Sequence, residues 1–279
     1  MRTIDTTVLA DLSSHTRRLG IKRFFQSMGY ERCAELPLVV RELRPQFATT
    51  LKYLDIGSGE SVLPSYILKN SVWDVTCLDK FSSVQVQRSH AERFLKGVEI
   101  DRRLHIVEKD FLQEKLTESS FDVITNISVI EHFEELTDQL AMQKSAQLLK
   151  PGGKYILTTL INEGNFKEFF LEESVYGAEY KTKPVFFQRH YDVEGFNKRI
   201  VGASGLREEK RTYFGEYGFR FADRFIDVPW PWKPMKALYQ WATPSFAKRF
   251  LTYSNTPISL GDMHMFTASG VFVVLERAQ

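Results

Sequence analysis

Short apolar runs alternate with amphipathic stretches through the middle of the chain. The runs Leu51–Ile56, Val72–Leu78, Leu104–Val107, Phe121–Ile127 and Tyr155–Leu160 predict strands. Helical patterns fill most of the intervals, as at Ser82–Leu95 and Glu134–Leu149. This alternation predicts βαβ units, and with them an α/β fold around a mainly parallel sheet. Residues 1–50 read as helical: Leu36, Val39, Val40 and Leu43 form one apolar stripe, and Pro45 ends that helix. From Ile161 to Pro184 the alternation stops, and the chain turns aromatic and acidic, with Phe166, Phe169, Phe170, Tyr176 and Tyr180. Asp192–Val201 predicts a helix that Gly202 or Gly205 can end, and Arg211–Glu216 and Gly270–Glu276 predict two more strands. Between those strands lies a Trp- and Pro-rich insertion, Val228–Met265, holding Trp230, Trp232 and Trp241. No internal repeat or second folding unit is visible, so a single domain over 1–279 is expected.

Composition narrows the function classes. Lys plus Arg number 37 and Asp plus Glu 35, a net charge of +2. A dedicated nucleic-acid binder carries a strongly basic face, so no nucleic-acid partner is expected. Cys33 and Cys77 make neither a disulfide framework nor a zinc-ligand spacing, which leads to the expectation of a reducing, cytoplasmic compartment. No signal-peptide core stands in MRTIDTTVLADLSSHTRRLG, and no apolar run reaches the ~18 residues of a spanning helix.

Ligands of parallel sheets bind at the carboxyl ends of the strands, and the chemistry-bearing residues cluster there. In LKYLDIGSGESVLP, residues 51–64, a strand ends at Asp55, Gly57-Ser58-Gly59 makes a tight turn, and a helix follows. Glycine allows close approach of a ligand to the backbone, and the helix start offers free N–H groups. A second strand, VWDVTCLD, ends about 20 residues later in Asp79, where a carboxylate can accept both hydroxyls of a ribose. A structural turn capped by an aspartate is the plain alternative. A nicotinamide fingerprint, G-x-G-x-x-G, fails at its last position, which is Val62. Asp55 is also poorly placed beside a pyrophosphate, but suits a cationic or amine-bearing ligand. That chemistry points to S-adenosylmethionine.

With these residues in hand, the chain resembles the class I S-adenosylmethionine-dependent methyltransferases, well over residues 30–160 and more loosely over 190–279. Asp55, Gly57 and Gly59, with Ser58 between them, match the acidic-glycine motif. The third small position is Ser61, a mild departure. Asp79, followed by Lys80, matches the ribose-binding acid. Asp110-Phe111 match the pair that embraces the adenine. FDVITNISVIEHF, residues 121–133, matches the fourth strand and the start of its helix, and LLKPGGKYILTT, residues 148–159, the turn and fifth strand. The resemblance implies a Rossmann-like sheet of seven strands, the last antiparallel, with helices on both faces. It also implies that 51–160 is the cofactor-binding core, and that 1–50, 161–205 and 228–265 supply N-terminal helices and a cap over an acceptor.

Methyl transfer requires an aligned acceptor, and an oxygen acceptor usually needs a base. Asn126 and Ile127, ending the fourth strand, are candidates for contacts to the methionine part of the cofactor. His132 is the candidate base, against a purely local structural role. Glu131, His132, Glu134 and Glu135 lack zinc-motif spacing and read as a solvated acidic helix start, so no metal is expected. His190-Tyr191 can overhang an acceptor pocket or simply precede a helix capped by Asp192. Tyr30, Glu31 and Arg32 are candidates to close over the cofactor. His15, His90, His105 and His264 form no constellation.

The segment 228–251 has three readings: a lid over an apolar or sugar acceptor, a peripheral membrane contact serving a lipid-linked substrate, or packing against the protein body. Prolines at 229, 231, 234, 244 and 257 are expected to break any long amphipathic helix there. The expected activity is O-methylation of a small molecule or saccharide. The rivals are a non-catalytic cofactor-binding module that stabilises a partner, and a nicotinamide-dependent oxidoreductase. No Asn/Asp-Pro-Pro-aromatic motif follows the fourth strand, where Asn126-Ile127-Ser128-Val129 stands, so base-amine methylation is not expected.

Overall fold

The structure, a computed structural model, describes residues 2–162, 164–177, 180–217, 233–259 and 266–279. Trp230, Trp232, Pro229, Pro231 and His264 lie outside them. In chain order the elements are β1 (Arg2–Thr3), α1 (Thr6–Arg18), α2 (Ile21–Gln26), α3 (Arg32–Leu43), β2 (Lys52–Ile56), α4 (Leu63–Asn70), β3 (Asp74–Asp79), α5 (Val86–Ala91), α6 (Gly97–Arg103), β4 (Leu104–Glu108) and β5 (Phe121–Ile127). There follow α7 (Thr137–Leu148), β6 (Leu149–Leu160), β7 (Lys167–Leu171), β8 (Val185–His190), α8 (Val193–Phe196), β9 (Arg207–Tyr217), α9 (Lys233–Phe250), β10 (Leu251–Ser254), β11 (Ile258–Ser259) and β12 (Phe266–Glu276).

Strands β6, β5, β2, β3 and β4 lie side by side in parallel. The antiparallel β12 is inserted between β6 and β9. These are the seven expected strands. Among the described residues the sheet has ten strands rather than seven, in the order β1-β10-β9-β12-β6-β5-β2-β3-β4 with β11 on β12. The extra strands have a physical reason: β10 and then β1 cover the free edge of β9, whose unpaired backbone groups would otherwise face solvent.

Helices cover both faces. One core joins Leu12, Cys33, Val39, Tyr66 and Trp73 beneath α1, α3 and α4. The other joins Met142, Tyr191, Phe196 and Ile200 beneath α7. Asp5 starts α1 by accepting the N–H groups of Thr7 and Val8, each at 3.1 Å. His15 then stacks on Phe94, with ring centroids 4.2 Å apart, and meets Ser65 Oγ at 2.9 Å, fastening α1 over the helix that follows the glycine turn.

Several elements differ from expectation. The helix anticipated over 82–95 is a 3₁₀ turn, Ser82–Gln85, followed by α5. The one anticipated from Glu134 begins at Thr137. Asp192 caps α8 through Gly195 N–H at 2.7 Å, and the helix continues as a π-helical turn, Asn197–Gly202. The prolines do not break α9, which runs for 18 residues. Pro234 falls in its first turn, where no N–H is needed, and Pro244 lies in the interior at the loss of one hydrogen bond. The described part of the insertion packs against α1, α2 and α3.

The segment after β6 folds into the β7–β8 hairpin, which the sequence pattern did not predict. Arg189 of β8 is completely buried. Its Nη1 donates to Asp138 at 2.7 Å, and Asp138 also accepts Tyr191 OH at 2.9 Å and Arg199 Nε at 2.8 Å. One buried carboxylate on α7 thus anchors the hairpin and the π-helical turn. Asp138→Ala leaves the buried Arg189 with only one carboxylate, the partly exposed Glu168, 3.2 Å away, and is expected to cost about 3–5 kcal/mol, measured by denaturant unfolding. Stability within about 1 kcal/mol of wild type would show that this anchor is not needed.

Candidate functional site

The turn after β2 is held from three sides. The N–H groups of Gly57 and Ser58 donate to Leu78 O at 2.7 and 3.2 Å, fixing it to the end of β3. Ser58 Oγ donates to Asp55 O at 2.8 Å. From α5, the Gln87 amide donates to Gly59 O and Ser61 O, each at 2.9 Å. Gly57 has φ +71°, and a Cβ there would stand 2.5 Å from the methyls of Val129. Gly59 has φ +37°. Both positions demand glycine, the first for space and conformation together. Ser61, at the usual third small position, accepts Leu63 N–H at 3.2 Å and starts α4.

Three acids surround the turn. Asp55 is buried and accepts Thr125 Oγ1 at 2.6 Å, and burial pushes its carboxyl up to about 6. The Asp79 carboxylate accepts Gly59 N–H on one oxygen and Phe81 N–H on the other, each at 2.9 Å. Each oxygen keeps a further lone pair, and burial raises the Asp79 pKa. Asp110 accepts Leu112 N–H at 2.8 Å, shaping the loop that carries buried Phe111. Lys144 steadies the same loop through Phe111 O and Glu114 O, both at 2.6 Å.

Two cavities meet at Gly57 and Val129. The first, about 300 Å³, is lined by Asp55, Gly57, Ser58, Gly59 and Ile127, and by Arg23, Met28 and Arg32 from the N-terminal segment. The second, about 340 Å³, is lined by Gly57, Asp79, Lys80, Asp110, Phe111 and His132, with Val175, Tyr176, Val185 and Phe186 over it. Asn126 lines neither cavity: it is fully buried and accepts Ile130 N–H at 2.9 Å, shaping the turn after β5. Of the N-terminal trio, Arg32 reaches the first cavity, whereas Tyr30 is buried and donates to Glu216 at 2.6 Å.

His132 faces the second cavity. Its Nδ1 lies 2.8 Å from Phe187 O, a pure acceptor, so Nδ1 carries the proton and Nε2 keeps its lone pair. Burial lowers its pKa, and Tyr176 packs edge-on at 4.9 Å. The expected solvated acidic helix start holds for Glu134 and Glu135, which are exposed just before α7, but not for Glu131. Glu131 lies in a 3₁₀ turn, is buried, accepts Thr159 Oγ1 at 2.9 Å, and is pushed by burial up to about 8. Its neighbour Ser128, at φ +50°, donates to the buried Glu35 at 2.6 Å, and Glu35 pairs with Arg32. Among the described residues no three His, Cys, Asp or Glu side chains converge as a metal site. His190 meets Gln188 and Phe169, and Tyr191 donates to Asp138, so both act within the hairpin anchor.

Gln87, Glu35, Ser128 and Val129 were not singled out from sequence. Ser128 and Val129 lie inside the recognised FDVITNISVIEHF run, which is the signal that could have found them.

Residues 54–157 match the family described as Methyltransferase domain. A ubiquinone biosynthesis O-methyltransferase of Escherichia coli (strain SMS-3-5 / SECEC) is 32% identical over 167 residues, which is 58% of this chain and 64% of that protein. The chain spans less than two thirds of the length of the curated relatives it matches. In fold it is similar to the 1,6-didemethyltoxoflavin-N1-methyltransferase of Burkholderia thailandensis, solved with 1,6-didemethyltoxoflavin and S-adenosylhomocysteine. That likeness has a TM-score of 0.55 at 12% identity and covers 97% of this chain and 87% of that one. It is also similar to an S-adenosylmethionine-dependent methyltransferase from Mesorhizobium loti, with a TM-score of 0.51 at 14% identity, covering 89% of this chain and all of that one.

Asp79→Ala removes the acceptor for Gly59 and Phe81 together with the free lone pairs that face the cavity. It is expected to weaken S-adenosylhomocysteine binding by roughly 1.5–3 kcal/mol, while Asp79→Asn, which keeps an acceptor oxygen, loses less. Calorimetric titration decides; equal affinity in a folded Asp79→Ala protein would remove this residue from the site.

Proposed function

We propose, from the match of residues 54–157 to the methyltransferase-domain family, that the chain is a class I S-adenosylmethionine-dependent methyltransferase that transfers a methyl group to a hydroxyl of a small-molecule acceptor. The observation that carries the reading is the pair of cavities meeting at Gly57. One presents the Asp55 carboxylate, suited to an amine beside a sulfonium. The other presents Asp79, with free lone pairs for ribose hydroxyls, and the Asp110–Phe111 loop for an adenine. When bound, S-adenosylmethionine supplies an electrophilic methyl group. The chain's own residues bind, orient and exclude water. The name of the Escherichia coli relative supports oxygen as the accepting atom.

In this reading His132 takes the proton of the acceptor hydroxyl at Nε2. The bond to Phe187 O holds the ring in the required tautomer, and the lowered pKa keeps it neutral at pH 7. The β7–β8 hairpin and the loop holding Val175 and Tyr176 form the cap over this cavity. The whole chain acts as one domain, with the N-terminal helices closing the first cavity.

Titration with S-adenosylhomocysteine and, separately, NAD tests the cofactor class. Binding of the first and not the second is expected; the reverse would favour an oxidoreductase, and binding without any methyl transfer across an acceptor screen would favour the non-catalytic module. Once an acceptor is known, His132→Gln is expected to lower kcat about 10²- to 10⁴-fold with little change in cofactor affinity. The wild-type rate should rise with pH through the His132 pKa, below its ordinary value near 6.5, and be flat at neutral pH. The variant should lack that acidic limb. A variant with unchanged kcat and a raised KM would make His132 a positioning residue.

A further inference from the structure

A face beside the first cavity carries features that the methyl-transfer reading does not use. Helices α1, α2 and α9 frame a groove of about 470 Å³, lined by Arg17, Arg18 and Lys248 with Ser13, Ser14 and Ser245. No acid lines it. Among the described residues none of these three cations has a carboxylate within ion-pair distance, although many of the protein's other cations are paired; Arg23, beside the groove, is held by Glu60 at 2.9 Å. The Nε of Arg17 is buried and has no hydrogen-bond partner. Its guanidinium lies over Trp241 of α9, 5.3 Å from the ring centroid.

Beside the groove stands an apolar group that a water-facing surface would not favour. None of the six residues of α2 is buried. Ile21 is 80% exposed, Phe25 60%, Trp241 51% and Phe24 45%. Ile21, Phe24 and Phe25 stand at i, i+3 and i+4, so they share one side of the short helix. Large exposed apolar side chains grouped this way mark an interaction surface.

We propose that this face docks on a membrane carrying anionic phospholipids. The committing feature is charge complementarity. Unpaired cations and hydroxyls fit headgroup phosphates, while the neighbouring aromatic and aliphatic side chains fit the acyl boundary. This differs from the contact expected from sequence, because α1 and α2 supply most of the surface and α9 contributes Trp241 and Lys248. The docking stands independently of the methyl-transfer reading. Its consequence rests on that reading: Arg23, Ser27 and Met28, in and just beyond α2, line the first cavity, so docking sets that end of the site beside the lipid surface.

Vesicle flotation of the full chain tests the proposal, with phosphatidylcholine alone and with phosphatidylglycerol added. Two variants are used, Ile21→Ser with Phe25→Ser, and Arg18→Glu with Lys248→Glu, each checked for retained S-adenosylhomocysteine binding. The wild type is expected to float with the anionic vesicles only, and less at high salt. Each variant is expected to bind at least about tenfold more weakly. Wild-type protein left in the soluble fraction, equal binding to neutral vesicles, or variants that bind as wild type would overturn the proposal. So would displacement by soluble glycerol phosphate at matching phosphate concentration, which would indicate a site for a free anion. Concentration-dependent self-association through these side chains, without vesicle binding, would assign the face to a second copy of the chain.

Discussion

The contact on which the site depends is the approach of Val129 to Gly57. The turn leaving β2 and the turn leaving β5 come so close that a single Cβ would fill the gap. Everything around the cavities follows from that closeness. The two strands are adjacent and parallel, so their carboxyl ends rise together. Their turns must then diverge to opposite sides, and each leaves a hollow. Leu78 O holds one turn by its two N–H groups, Asn126 holds the other through Ile130, and neither can relax without moving the partner. The result is a partition in which acidic Asp55 lies on one side, and Asp79 and Asp110 on the other.

Buried charge reinforces this geometry from below. Asp55, Glu131 and Glu35 are withdrawn from water near the strand ends, and only Glu35 has an arginine in contact. Each of the three instead accepts a hydroxyl, from Thr125, Thr159 and Ser128 respectively. Hydroxyl donors neutralise less than a cation does, which is why burial still dominates for Asp55 and Glu131. With its carboxyl at about 8, Glu131 is mostly protonated at pH 7, whereas Asp55, at about 6, stays largely ionised without a cation and favours an arriving positive charge such as the sulfonium or amine of S-adenosylmethionine.

What the sequence made legible had local causes. Strands β2, β3, β4 and β5 fall within about two residues of their apolar runs; β2 and β5, buried on both faces, read as near-continuous apolar segments. The acidic and glycine positions were readable because each sits at a fixed step beyond a strand. Residues acting across the chain were not. Gln87 reaches back 28 residues to Gly59, and Ser128 reaches 93 residues to Glu35, distances that no local pattern encodes. The hairpin strand β7 escaped notice because its charged pair Lys167-Glu168 is followed by the consecutive apolar Phe169, Phe170 and Leu171, so it lacks the alternation of a half-buried strand although it is largely exposed. Glu131 looked solvated because its burial is imposed by β6, and α9 tolerated Pro244 because tertiary packing offset a lost backbone bond.

The insertion of β12 between β6 and β9 also sets an order of events during synthesis. Strand β9 emerges from the ribosome long before its only inward neighbour, and it carries Phe214, which ends fully buried against Gly270. Until β12 is made, β9 has no place on the parallel sheet. Before that, β9 can pair only with β10, while the half containing the glycine turn can already condense. A pause in translation before β12 then prolongs the time for which the β12-facing edge of β9, with Phe214, stands uncovered.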